Sequence, residues 1–302
     1  MPDRIKIANA PCSWGVLEFD LEGEAAGYPQ VLNEIAETGY VGTELGDWGF
    51  MPTDPAHLRA ELDARRLDLL AAFVPVAFAE SAAHAEGEAA AVRTAQLLHD
   101  TAGSGCFIVL ADNNGTVPER TQNAGRITSE MGLSDAKWRT FAEGVDRVAR
   151  AVKEATGLRS VFHHHCAGYI ETPAEIERLM ALTDPTLVGL CLDTGHCMFG
   201  GGDPADVLER YYGRIWHVHF KDFDPRAAER SRQQNGDYFA AIRQGVFCEL
   251  GQGVVDFPGI RDMLIARGYS GWIVVEQDVL PSMGAPKLSA QRNRDYLRSI
   301  GF

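Results

Sequence analysis

The chain has 302 residues, 45% of them hydrophobic and 23% charged, which is enough apolar material for a large core and too little charge for a disordered polymer. Lys plus Arg is 28 against 42 for Asp plus Glu, a net charge of −14, and no strong basic run is present, so a nucleic-acid partner is not expected. No apolar stretch approaches the roughly 20 residues of a membrane helix, which leaves a neutral or metal-assisted small-molecule substrate as the expected partner.

The first residues, MPDRIKIANAP, pass straight into a strand-like run without a signal-peptide core. Cys12, Cys106, Cys166, Cys191, Cys197 and Cys248 form no CxxC pair, and together these features suggest a reducing, cytoplasmic setting. Short β-rich runs then recur: Ile5–Ala10, Tyr40–Leu45, Leu69–Val76, Cys106–Ala111, Ser160–His165, Val188–Asp193, Ile215–Lys221 and Trp272–Gln277. Several are almost continuously apolar, as parallel strands covered by helices should be. Helix starts lie between them. Asp54-Pro55 and Asp203-Pro204 place a capping residue before a proline, and Thr172-Pro173-Ala174-Glu175 is a capping box. Ile176, Leu179 and Met180 follow at helical spacing and should face a sheet. Eight strands alternating with helices predict one (β/α)8 TIM barrel, an α/β domain spanning residues 1–302, with longer connections at about 112–135 and 223–256.

At the C-terminal rim of such a barrel, polar strand ends are read as functional. The last four runs end that way, in HHH (163–165), DTGH (193–196), HVHFKD (217–222) and VEQD (275–278). Alternation puts His163 with His165 on one face, and His217 with His219 and Lys221 on another. Asp193 and Glu276 each end an apolar run, where an unpartnered carboxylate is costly. A divalent cation would supply the partner. Two imidazoles and two carboxylates suit Mn²⁺, Co²⁺, Fe²⁺ or Zn²⁺ better than Ca²⁺ or Mg²⁺. Plainer readings exist. Asp193 can cap the following helix, Glu276 can pair with a cation, and His164 can be a structural residue in the barrel wall. Four adjacent strands delivering ligand-capable groups to one rim favour the metal.

These motifs resemble the xylose-isomerase-like sugar isomerase/epimerase superfamily and, within it, the inosose dehydratases of inositol catabolism. The resemblance rests on VFHHH (161–165), ETPAEIERLM (171–180), LCLDTGH (190–196), DPADVLERYYGRIWHVHFKD (203–222), FAAIRQGVF (239–247), GQGVVDF (251–257) and GYSGWIVVEQD (268–278), with IANAPCSWG (7–15) and GYVGTELGDWGF (39–50). It implies a metal held by Asp193, His219, Glu276 and a strand-five residue. That residue is His163, where most relatives carry Glu, with His165 as the alternative. It implies Mn²⁺ or Co²⁺ ahead of Zn²⁺, Fe²⁺ or Mg²⁺, and dehydration of a cyclic polyhydroxy ketone (2-keto-myo-inositol) through an enolate. Glu276, His165, His196 and Lys221 would move protons, and Trp14, Glu44 and His217 would hold the ring. Losing the strand-five carboxylate argues against two-base epimerisation. An isomerase or epimerase, or β-elimination from a 3-keto-glycoside, is the alternative chemistry. A metal-dependent nuclease and a non-catalytic sugar-binding protein are alternatives of another class. Homo-oligomers are common among such barrels.

Overall fold

The computed structural model describes residues 5–16, 26–280 and 283–302. The strands are β1 (Ile5–Asn9), β2 (Gly42–Thr43), β3 (Asp68–Leu69 and Ala71–Pro75, interrupted at Leu70), β4 (Phe107–Ala111), β5 (Arg159–His163), β6 (Val188–Asp193), β7 (Ile215–Phe220) and β8 (Gly271–Val275). The principal helices, one after each strand, are α1 (Tyr28–Glu37), α2 (Pro55–Asp63), α3 (His84–Ala102), α4 (Asp135–Thr156), α5 (Pro173–Leu182), α6 (Pro204–Tyr211), α7 (Phe257–Ala266) and α8 (Pro286–Ser299). Neighbouring strands pair in parallel, and β1 lies between β8 and β2. The two parts of β3 pair with β2 and β4. They adjoin in the chain, so the sheet closes on itself. At the seam Leu70 donates its N–H to Thr43 (3.1 Å) and accepts from Phe107 (2.9 Å). The expected TIM barrel is present. Among the described residues no helix is long and apolar enough to cross a membrane.

The helices begin where their caps predict. Asp54 accepts the His57 N–H and Asp203 the Ala205 N–H, both at 2.8 Å. Thr172 and Glu175 complete the reciprocal box ahead of Pro173, and Ile176, Leu179 and Met180 are buried behind it. The two long connections are structured. The first carries a short helix, Pro118–Gln122, and the second carries Pro225–Gln233 and Tyr238–Arg243. A two-residue antiparallel pair, Asp222–Phe223 with Phe247–Cys248, anchors the second to the rim.

Side-chain alternation divides the core into two layers. Ala8, Ala71, Val109, Val161, Cys191 and Val274 pack inside the barrel. Ile108, Phe162, Leu192, Val218, Phe220 and Ile273 pack outward under the helices. On β1 and just past it, and at the start of the second part of β3, the inner residues Ala8, Ala10 and Ala71 are small, which leaves room at the rim for the polar side chains of β5 to β8.

One strand departs from simple alternation. Leu190 pairs with Ile215, yet Cys191 pairs with His217, so Trp216 is an extra residue on β7. This β-bulge resets the phase of the strand. Ile215 packs in the outer layer, Trp216 packs against the inner cluster, and His217, His219 and Lys221 then all face inward. The bulged indole also helps close the barrel floor. Arg159 lies 4.9 Å from its ring and 4.8 Å from that of Phe107, and Lys6 lies 4.8 Å from Trp272. Trp216 rests on Gly189, where a Cβ would collide with the ring. Gly189→Ala should therefore cost about 1–3 kcal/mol by overpacking, read as a lower denaturant midpoint. An unchanged midpoint would mean that the indole does not depend on that seat.

Candidate metal centre and active site

The strand ends of β5 to β8 converge at the rim. One donor atom each from His163, Asp193, His219 and Glu276 lies within 4.8 Å of the others, and all four residues are buried. Donors about 2.0–2.2 Å from a common ion stand up to ~4.4 Å apart, so this set is close to ion-binding geometry before any ion draws it in. The quartet is the one singled out from the sequence, and the geometry joins His163 to it rather than His165.

Two of the donors, Asp193 and His219, are aimed by partners outside the quartet. Asp193 divides its work between two oxygens. Oδ1 accepts the His196 N–H at 2.8 Å and so caps the short helix Thr194–Phe199, while Oδ2 faces His163 Nε2 at 3.4 Å. Capping and metal binding, alternatives in the sequence, are compatible here. His219 donates through Nε2 to Glu44 Oε1 at 3.0 Å, and His217 Nε2 contacts the same oxygen at 2.7 Å. That leaves Nδ1 as the nitrogen turned toward the quartet; burial opposes a charge on the ring, but the surrounding carboxylates favour the imidazolium. Nδ1 is buried, makes no well-formed hydrogen bond, and stands 3.3 Å from Glu276 Oε2 and 3.9 Å from Asp193 Oδ2. An orphaned imidazole nitrogen aimed between two carboxylates fits a divalent ion. His164 points into the wall and accepts the Asp193 N–H at 3.3 Å, as its expected structural role requires.

Electrostatics follow from burial and proximity. Burial opposes the charge on Glu44, but His219 and His217 overcome it and hold the carboxyl at about 2. Burial also opposes the charge on Asp193, and Lys221 and His163 likewise hold it at about 2. Lys221 is buried, which disfavours an ammonium, yet Asp278, Asp193 and Glu276 together keep it charged. Its Nζ lies 2.7 Å from Asp278, 3.1 Å from His196 Nε2 and 3.3 Å from Glu276. Burial, with the nearby cations, keeps His165 and His196 neutral.

A cavity opens over this centre. Glu44, Phe73, His165, Lys221, Glu276 and Asp278 line it, with Cys12 and Asp47. Three residues expected at the substrate do not line it. Trp14 is buried in the core, its indole N–H donating to Glu34 at 2.7 Å. His217 sits one layer below His219, behind Glu44. The short helix capped by Asp193 carries His196 behind Lys221, where Phe247 packs on its ring at 4.7 Å. Asp278, Phe73 and Tyr238 are contributors that the sequence reading missed. Asp278 repeats the spacing of Val274 and Glu276 along one face, a usable signal. Tyr238 arrives from a loop and offers none.

The turn after β5 is clamped from below. Ala167 is left-handed (φ 69°), a strained state for a residue with a Cβ. Glu171 takes its N–H at 3.0 Å and that of Gly125 at 2.6 Å. The fully buried Arg120 grips Glu175 with two bonds and donates Nε–H to the Gly168 carbonyl at 2.7 Å. Burial raises Glu171 from 4.5 to about 7 despite these N–H donors and Arg120. Between those values the folded chain holds a proton that the unfolded chain has released. The group's contribution to stability is therefore greatest at the acid end and is lost as pH rises through about 7. Wild type should lose stability relative to Glu171→Gln between about pH 5 and about pH 8. A melting-temperature difference that stays flat across that range would refute it.

Comparison with known proteins gives the same architecture. Residues 32–300 match the family model described as xylose isomerase-like TIM barrel. An inosose dehydratase of Geobacillus kaustophilus is 36% identical over 296 residues, covering 97% of this chain and 93% of that protein. One from Lacticaseibacillus casei is 31% identical, covering 97% and 96%. Among solved structures, a probable 3-DHS dehydratase of Bacillus anthracis superposes with a TM-score of 0.70 at 15% identity, covering 97% and 98%. A D-allulose 3-epimerase of Methylomonas superposes equally well, at 0.70 and 16% identity, covering 98% of each chain.

Proposed function

The chain belongs to the xylose isomerase-like TIM barrel family, and within it we propose a metal-dependent hydro-lyase that dehydrates a cyclic polyhydroxy ketone, 2-keto-myo-inositol (scyllo-inosose), to a diketone. The carrying observation is the quartet of His163, Asp193, His219 and Glu276 beneath a cavity whose other wall holds His165, Lys221 and Asp278. Near full-length identity to proteins named inosose dehydratase supports the substrate. The two-imidazole, two-carboxylate donor set supports Mn²⁺ or Co²⁺.

When bound, the divalent ion supplies Lewis-acid polarisation of the ketone and compensates the charge of the enolate. The chain's own residues supply position and protons. Glu276 takes the proton from the carbon beside the ketone. The electron pair left there forms a carbon–carbon double bond as the neighbouring C–O bond breaks. The Lys221 ammonium, which lines the cavity beside the neutral His165, delivers the proton with which that hydroxyl leaves as water. His196 acts through Lys221. Glu44 fixes His219 from behind and shares the ring-binding wall with Phe73. The resulting enol tautomerises to the diketone.

Purified, metal-loaded protein should develop diketone absorbance with 2-keto-myo-inositol and leave ketohexoses unchanged. Isomerisation of ketohexoses with no product from the inosose would overturn the reading in favour of an isomerase. Glu44→Gln should weaken Mn²⁺ or Co²⁺ binding about 10- to 100-fold, measured by chelator competition, because His219 loses its orienting carboxylate. Unchanged affinity would sever Glu44 from the metal.

A further inference from the structure

Tyr238 is the residue of the rim that neither the motifs nor the roles above account for. It opens the short helix Tyr238–Arg243, whose N-cap Asp237 accepts the Ala240 N–H at 2.8 Å. The side chain is fully buried, and its hydroxyl lies 3.3 Å from His165 Nε2 and 3.2 Å from Asp278 Oδ2. The other ring nitrogen of His165, Nδ1, is 2.5 Å from the Cys166 carbonyl. A carbonyl only accepts, so Nδ1 carries the hydrogen and Nε2 is the nitrogen turned to Tyr238. Asp278 in turn holds Lys221 through its second oxygen at 2.7 Å. The single Tyr238 hydrogen can go to Asp278 Oδ2 or to the bare His165 Nε2, so the hydroxyl stands between two acceptors and links the Lys221–Asp278 pair to His165. A phenylalanine would fill the same space, so the hydroxyl at this depth indicates a polar role.

Two members of the quartet have orienting partners outside this linkage, and His165 and Asp278, which the Tyr238 hydroxyl contacts, are not among the four. Glu44 sets His219, and the helix N-terminus sets Asp193. We propose that Tyr238 is a positioning residue for departure of the hydroxyl, fixing His165 directly and Lys221 through Asp278, and that it has no part in removing the first proton. In that step the C–O bond breaks with its electron pair going to oxygen. The oxygen takes one proton from the Lys221 ammonium, and the pair at the adjacent carbon closes the double bond.

The inference rests on the dehydratase reading, and the test separates the two. Wild-type, Tyr238→Phe and Asp278→Asn proteins, each with metal content measured, are incubated with 2-keto-myo-inositol in D₂O. Diketone formation and deuterium at the carbon beside the ketone in recovered substrate are followed together. For Tyr238→Phe we expect kcat for dehydration to fall about 10- to 100-fold, with KM and metal content within about twofold and deuterium exchange retained. Asp278→Asn should show the same separation of exchange from dehydration, which covers the case of a poorly folding Phe variant. Exchange and dehydration falling in parallel, or full activity in both variants, would overturn the role of Tyr238. Absence of product from the wild type would instead remove the dehydratase reading, and this inference with it.

Discussion

Four carboxylates, Glu44, Asp193, Glu276 and Asp278, are buried at one barrel mouth with a single lysine, Lys221, among them. Anions so placed are stable only when paired, because leaving one without a partner removes the solvation that made it an anion. Much of the rim's local geometry answers that demand. His217 and His219 converge on Glu44, Lys221 spans three carboxylates, and a helix N-terminus satisfies one oxygen of Asp193. Asp193 Oδ2, Glu276 Oε2 and Nδ1 of His219 still face one another across a common space. A divalent cation suits that space chemically, and the donors are already close enough to receive one.

The barrel supplies this arrangement through small residues as much as polar ones. Ala8, Ala10 and Ala71 keep the β1–β3 side of the interior open. Beneath the centre, Cys191 and Val274 fill the barrel, and the aromatic and cationic side chains of Trp216, Trp272, Arg159 and Lys6 close its floor. The loops complete the mouth. Asp222, the last residue of the HVHFKD motif, accepts N–H groups from Gly251, Gly253 and Val255, which pins the far end of the 223–256 connection and brings Tyr238 and Phe247 against His165 and His196.

Much of this was legible in the sequence. The fold could be read because apolar runs, caps and prolines repeat in register with the strands and helices. The quartet could be read because each member ends an apolar run and alternation is a local rule. Trp14 lies in the core rather than on the cavity, and a tryptophan beside a strand end has the same local signature in either place. Its tie to Glu34 depends on how α1 docks. His217 was placed too high because depth inside a barrel is set by register between strands. Tyr238 was invisible because its position comes from an irregular loop, where no periodicity speaks. Nor could the sequence reveal that His163 rather than His165 joins the quartet, since both share a face and only the end of β5 separates them.

The bulge at Trp216 gives the chain an uneven tolerance to change. Along most of the barrel wall, a substitution alters one contact. On β7 a one-residue deletion between His217 and Lys221 would turn the residues beyond it from the interior to the helix layer, whereas loss of Trp216 itself would only erase the bulge and keep His217 opposite Cys191. The centre on that strand therefore tolerates substitution, or a length change at the bulge itself, better than a length change beside His219.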